Sequence, residues 1–413
     1  MNSNPTNTRE PMRVWIGFLA FLLPFLSLVT LFGVSLDSFL FLGSALILFK
    51  PNRDALRRHW PQVRWVMLAF LLHFLFVLAC ALLRGTSMSA LEKPARMLLA
   101  ASAMLAVLAT QAPRRALWWG VSAGALAALP FVAWQRLGLG IDRPGGLINA
   151  ITFGDLALLL ALVALAGAID LRRRSGQALL CGAGALAGMT ASLLTGTRGG
   201  WIALAPALLL VLRYAGAFDR RRLRMLAAAG AALLASAWFA PALGMQARFA
   251  QGIDDARTWY EGGNVWTNVG TRLELWKGAA MLIREHPLLG MDFAACRARL
   301  ADYARAGRLD PQVLVLPHLH NDGLQALATG GVVGFALWAA ILAAPAWFFA
   351  RQLRAGAQAP QFAPALAGML VVLAYAGFGL TEVIFWSMKG SLFYALMVFM
   401  LMGFCLNAKE KIE

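Results

Sequence analysis

The sequence predicts an all-α, polytopic membrane protein of about twelve transmembrane helices, carrying a helical cap on its outer face. Three observations lead there. Hydrophobic residues make up 60% of the chain and charged residues 14%, with a mean hydropathy of +0.66. Apolar stretches of about 17 to 25 residues, each long enough to cross a bilayer, recur over almost the whole length. One connection alone, near 241–330, is both long and polar.

Spans are expected at 14–32, 35–49, 65–83, 95–111, 116–136, 147–169, 177–195, 200–214, 224–240, 331–350, 362–380 and 387–406. The second and eighth are the shortest. No cleavable signal peptide is expected, because the first apolar run is too long and lacks a small-residue cleavage site. That run stays as an anchor. The resulting division is 1–240 for helices one to nine, 241–330 for the outer loop, and 331–413 for the last three helices and a tail.

The formal net charge of +17 would suggest nucleic acid in a soluble protein. Here the cations fall on alternate loops. With a cytoplasmic N-terminus, the inner segments hold 21 Lys and Arg and the short outer loops hold 7. This bias places both termini in the cytoplasm and accounts for the basicity without nucleic acid. Cys80, Cys181, Cys296 and Cys405 are scattered, with no CxxC or Cys/His cluster to suggest a metal. No Asp-x-Asp pair occurs, so a dedicated Mg²⁺ or Mn²⁺ carboxylate site is not expected.

The outer connection is long enough that it should carry structure and function. Its segment Thr271–Arg284 has helical periodicity, with Leu273, Leu275, Trp276, Ala279, Ala280, Leu282 and Ile283 on one broad face, and His286-Pro287 ends it. Arg272 falls within that apolar arc and in the first turn, where neither amphipathicity nor the helix dipole asks for a cation. Such a charge lines a polar cavity or finds a partner, or else lies beyond the helix and snorkels outward.

Two more outward stretches draw notice. Leu194-Thr-Gly-Thr-Arg-Gly-Gly-Trp201 joins spans seven and eight. Its glycines allow close backbone approach to a ligand, and Arg198 offers a planar fork for phosphate oxygens. Asp142–Gly154 is rich in turn formers and reads as cavity wall. Lys93 and Arg96 open span four on the same side.

The run Leu316-Pro-His-Leu-His-Asn-Asp-Gly-Leu-Gln325 ends the outer connection. It holds two of five histidines, His318 and His320, at a membrane edge. Histidine is the side chain suited to exchanging protons near neutral pH, although an isolated one at an interface also serves as an amphipathic anchor. Asp322 with Gln325 reads as a capping box for a helix ending near Gly330-Gly331, with His320 just before it. A helix N-terminus and cationic neighbours favour the neutral imidazole that a general base requires.

Thr195-Gly-Thr-Arg-Gly199, Gly270-Thr-Arg-Leu-Glu-Leu-Trp276, His286-Pro-Leu-Leu-Gly290 and His318-Leu-His-Asn321, in this order and spacing, resemble the O-antigen ligase and polymerase superfamily. The motifs cover roughly 190 to 335, and the twelve-span plan extends the likeness over most of the chain. The resemblance implies a GT-C-like membrane glycosyltransferase acting on undecaprenyl-pyrophosphate-linked glycans at the periplasmic face of the bacterial inner membrane, without a cofactor. It implies that Arg198 and Arg272 bind the pyrophosphate and that His320 activates the acceptor. His318, Asn321, Lys93, Arg96 and Trp276 stand as supporting residues, and no metal is expected. The sequence departs from the family pattern after Gly290, where a glycine-rich continuation is replaced by Met291-Asp-Phe.

Within the superfamily, the compact length favours an O-antigen ligase, whose partners are the lipid-linked O-antigen, the lipid A-core acceptor and membrane lipids. An O-antigen polymerase and a protein O-oligosaccharyltransferase are the alternatives that share these motifs. A polysaccharide or lipid transporter is the alternative from another class; no inverted repeat or charged helix argues for it.

Overall fold

The computed structural model describes residues 9–214 and 245–410, with scattered positions between 221 and 239. Every regular element among the described residues is helical. Among the described residues, eight helices are long and apolar enough to cross a membrane. Three shorter apolar ones, Gly33–Ile47, Gly199–Arg213 and Phe362–Phe378, coincide with the expected second, eighth and eleventh spans. The expected ninth span, 224–240, lies largely outside the described residues.

In chain order the helices are α1 (Arg9–Val29), α2 (Gly33–Ile47), α3 (Phe49–Arg84), α4 (Glu92–Leu99), α5 (Ala101–Thr110), α6 (Arg115–Ala133), α7 (Ala150–Asp170), α8 (Ser175–Leu194) and α9 (Leu204–Arg213). After these come α10 (Met245–Tyr260), α11 (Gly270–Glu285), α12 (Phe293–Arg305), α13 (Asp322–Leu353), α14 (Phe362–Phe378) and α15 (Met388–Glu410). The span within α15 is buried all round, enclosed by α5, α14, α4 and α2. An unbroken apolar run such as Tyr394–Met402 has no polar face to show and suits the centre of a bundle. By contrast α3 turns Leu71, Leu72, Leu75, Leu82 and Leu83 outward, as a lipid-facing helix does. At the opposite end of the bundle from the cap, Arg114 grips Asp170 with two bonds of 2.7 Å, tying α6 to α7.

The cap has a core of its own. Leu275, Ala279 and Leu282 of α11 pack with Cys296, Leu300 and Tyr303 of α12 and with Val313 and Leu319. This is the face that the periodicity of Thr271–Arg284 predicts, except that Ala280, one position off the arc's centre, is exposed. Asp292 caps α12 by accepting from the Ala295 amide at 2.9 Å. The Met291-Asp-Phe departure thus supplies a helix start where the family pattern has glycine.

A broken helix joins cap to bundle. Backbone helicity in α13 fails at Gly331, where φ is +61°. Into the break slides the His286-Pro-Leu-Leu-Gly290 hairpin. The amides of Val332 and Val333 donate to the carbonyls of Pro287 and Leu288 at 2.8 and 3.2 Å, and the Met291 amide donates to Ala328 at 3.0 Å. A β-carbon on Gly331 would collide with the Leu288 carbonyl, so glycine alone satisfies both the torsion and the space. From α3, Arg84 caps the hairpin by donating to the Leu289 and Gly290 carbonyls at 2.6 and 3.1 Å.

The start of α13 corrects one expectation. The N-cap is Asn321, whose side chain accepts from the Leu324 amide at 2.9 Å. Gln325 reaches past the cap to accept from the Leu319 amide at 3.2 Å. Asp322 is instead buried, and its carboxylate accepts from the Ile384 amide at 3.2 Å. The helix also continues beyond Gly330-Gly331, redirected there and not ended.

Candidate active site

The segment before α13 is fixed at each residue. The Arg297 guanidinium donates to the carbonyls of Leu314 and Leu316. Trp276 Nε1 donates to the Leu319 carbonyl at 3.0 Å. Asn321 Nδ2 donates to the Leu380 carbonyl at 3.0 Å, and the Asp322 amide donates to Gly379 at 2.8 Å. These last two bonds dock the segment onto the α14–α15 connection. Between them His320 adopts φ +50°, a left-handed conformation that costs a residue with a β-carbon about 1 kcal/mol or more.

That connection supplies the residue that sequence reasoning missed. Glu382 is buried, and its two carboxylate oxygens meet the two histidines: Oε2 lies 3.0 Å from His320 Nδ1, and Oε1 lies 3.1 Å from His318 Nε2. Burial works to raise the Glu382 pKa, but the His320 hydrogen bond, the charges of both histidines and the Val383 amide outweigh it and hold the carboxyl below its ordinary value. An ionised carboxylate only accepts. In the neutral ring of His320 the proton is therefore on Nδ1 and the lone pair on Nε2. His318 is pushed down to about 4 by burial, against the pull of Glu382, so it is neutral near pH 7. Its Nδ1 lies 3.4 Å from the His320 amide, so its proton sits on Nε2 and points at Glu382. One signal in the sequence could have found Glu382: no other acidic residue occurs between Asp322 and Glu410.

Arg272 opens α11 and is half-buried. Burial lowers its guanidinium from the ordinary value, opposed by the Glu382 carboxylate, while Arg143 lowers it further. Arg272 is thus within electrostatic reach of the histidine–carboxylate centre and of the Asp142–Gly154 stretch. Its Nη1 donates to the Asn268 carbonyl at 3.4 Å.

Arg198 arrives by a different route. It precedes the short 3₁₀ turn Gly199–Ala203, whose start is wedged between α7 and the α14–α15 connection. A β-carbon on Gly199 would strike Thr381 Oγ1, and one on Gly200 would strike Asp155 Oδ1. Close backbone approach is what these glycines supply, with the protein's own carboxylate-bearing loop as the neighbour. Thr197 Oγ1 donates to the Ala150 carbonyl at 3.2 Å, and Asn149 caps α7 by accepting from Thr152 at 2.8 Å. The end of the 142–154 stretch, the loop of Arg198 and the loop of Glu382 are therefore packed against one another.

The two remaining candidates separate. Lys93 donates to the carbonyls of Phe385 and Trp386 at 3.3 and 2.5 Å and lies over the Trp386 ring, bracing the loop that carries Glu382. Arg96 turns away: it pairs with Glu92 at 2.8 Å and contacts Ser35 Oγ at 3.4 Å, on the α2 side. Arg96 lies three residues after Lys93, and its i,i+4 acid Glu92 is the nearer of its two partners.

These features define a polytopic membrane protein in which two histidines meet a buried carboxylate where a helical cap joins the bundle. Residues 183–339 match the family model described as O-Antigen ligase. The matched stretch includes Arg198, Arg272, His318 and His320, while Glu382 lies beyond it. An uncharacterized protein of Haemophilus influenzae is 22% identical over 291 residues, spanning 70% of this chain and 73% of its own.

Proposed function

We propose that this protein is an O-antigen ligase of GT-C type, moving a glycan from undecaprenyl pyrophosphate to the lipid A-core at the periplasmic face of the inner membrane. The observation that carries the reading is the Glu382–His320 bond, which leaves Nε2 of His320 as the proton acceptor. In the reaction, Nε2 takes the proton of an acceptor-sugar hydroxyl as its oxygen attacks the anomeric carbon. The bond to the pyrophosphate breaks on the opposite side, and the configuration inverts. Arg198 and Arg272 bind the pyrophosphate and neutralise the charge that grows on it as it leaves. In this reading the arginines supply what a cation would otherwise supply, and metal is dispensable.

The matched family supports the donor class, and the acceptor is tested genetically. Deleting the gene should leave lipopolysaccharide with bare core while polymerised glycan accumulates on its lipid carrier. On a gel, a core-plus-one-repeat band would sink the ligase assignment and favour a polymerase. The charge bias supports the orientation, with the cap outside and both ends in the cytoplasm. A compartment reporter fused after Gly252 should read the outer side, and one after Gly356 the inner. A cytoplasmic signal at Gly252 would overturn the orientation.

A further inference from the structure

We propose that His318, His320 and Glu382 also form a capture site for a transition-metal ion of the Zn²⁺ class, and that occupying it switches the base off. The sequence gives no hint of such a site, since Glu382 lies far along the chain from the histidines. In the fold, one ligating atom from each of the three lies within 4.8 Å of the others. A four-coordinate ion with bonds of about 2.0–2.2 Å requires ligand atoms roughly 3.3–3.5 Å apart. The two histidine–carboxylate separations, 3.0 and 3.1 Å, already approach that spacing.

The ligands are held before any ion arrives. Leu319, between the histidines, has its carbonyl fixed by Trp276 and its amide by Gln325. The Val383 amide donates to Glu382 at 3.0 Å, and Lys93 braces the same loop. Entry is open, because the three side chains keep 10%, 15% and 9% of their surface exposed. Two imidazoles and one carboxylate suit Zn²⁺, Co²⁺ or Cu²⁺, with at least one coordination position left for water. Mg²⁺ and Ca²⁺ require more oxygen ligands and are excluded by the same donor set.

Occupation changes where protons sit. An ion on His320 Nδ1 needs the lone pair there, so in the neutral ring the proton moves to Nε2. His318 shifts its proton from Nε2 to Nδ1 in the same way, and Glu382 contributes its negative charge. Each ring keeps one proton, and none is released. The result is that Nε2 of His320 becomes a donor and cannot take a hydroxyl proton. This consequence rests on the proposed role of His320; the binding itself does not.

The test uses the full-length protein in detergent, purified without a histidine tag. Co²⁺ should bind one per chain and give a visible absorption band of low-coordinate geometry, which Zn²⁺ displaces and Mg²⁺ does not. His318→Gln should weaken Co²⁺ binding by about 10-fold or more. His318→Cys, a second variant should the first fail to fold, should keep binding and add a thiolate charge-transfer band. Zn²⁺ should suppress glycan transfer, and a chelator should restore it. Saturable Co²⁺ binding that ignores both substitutions, or no such binding, overturns the site. Binding at these residues with transfer unaffected overturns the switch and removes His320 as the base, whereas loss of binding alone leaves the base intact.

Discussion

Replacing His320 by alanine should reduce glycan transfer by about 10²–10⁴-fold while the protein stays folded. The loss follows from removing the one lone pair that Glu382 orients toward an incoming hydroxyl. Folding should survive because the side chain's hydrogen bond is to Glu382, which keeps His318 as a partner at 3.1 Å. The backbone at φ +50° is as demanding for alanine as for histidine, so the substitution adds at most about 1 kcal/mol of strain. The measurement is transfer from purified lipid-linked donor, with size exclusion and helicity checked in parallel. Full activity in the variant would remove His320 from the chemistry. Abolition by a chelator in the unmodified protein would point to a metal-dependent reaction and reject the arginine-based stabilisation.

Arg272→Lys should be almost as damaging as loss of the charge, with turnover falling by about 10²-fold or more. A guanidinium presents two parallel N–H groups to two phosphate oxygens; an ammonium is a point charge and cannot reproduce that fork. Arg272 is also half-buried beside Glu382 and Arg143, so a lysine there would meet a desolvated site that an arginine tolerates better. Arg198→Gln combined with Arg272→Gln should weaken donor binding and turnover together. If donor affinity and rate stayed near those of the unmodified protein, both arginines would be structural. That outcome would leave the histidine–carboxylate centre without a partner for the leaving group.

The membrane spans were legible because each must close its own backbone hydrogen bonds in lipid, and only a long apolar run can do so. Every expected span outside 224–240 accordingly meets a helix. Arg198, Arg272 and His320 were legible because each breaks a local rule: a cation on an apolar arc, a fork in a glycine turn, a histidine before a cap. Glu382 breaks no local rule, since a short polar hairpin between spans is an ordinary place for an acid. Its partner His320 lies 62 residues away in the chain, a pairing that no periodicity encodes. The capping error at Asp322 has the same origin. Asn321 and Asp322 are both good caps by residue type, and the choice fell to tertiary contacts, with Ile384 claiming the aspartate. Lys93 and Arg96 share a helix end, but only the packing of α15 and α2 tells which one reaches the loop.

The hairpin seated in the broken helix has a consequence for motion. Substrates that carry long sugar chains are often admitted by a cover that lifts. Here the amides of Val332 and Val333 are satisfied by carbonyls of the preceding hairpin, in place of their own helix. Tilting the cap away would strip those amides of partners, and Arg84 would lose its carbonyls as well. On the proposed function, the cap is a fixed roof, and donor and product pass through the walls beneath it.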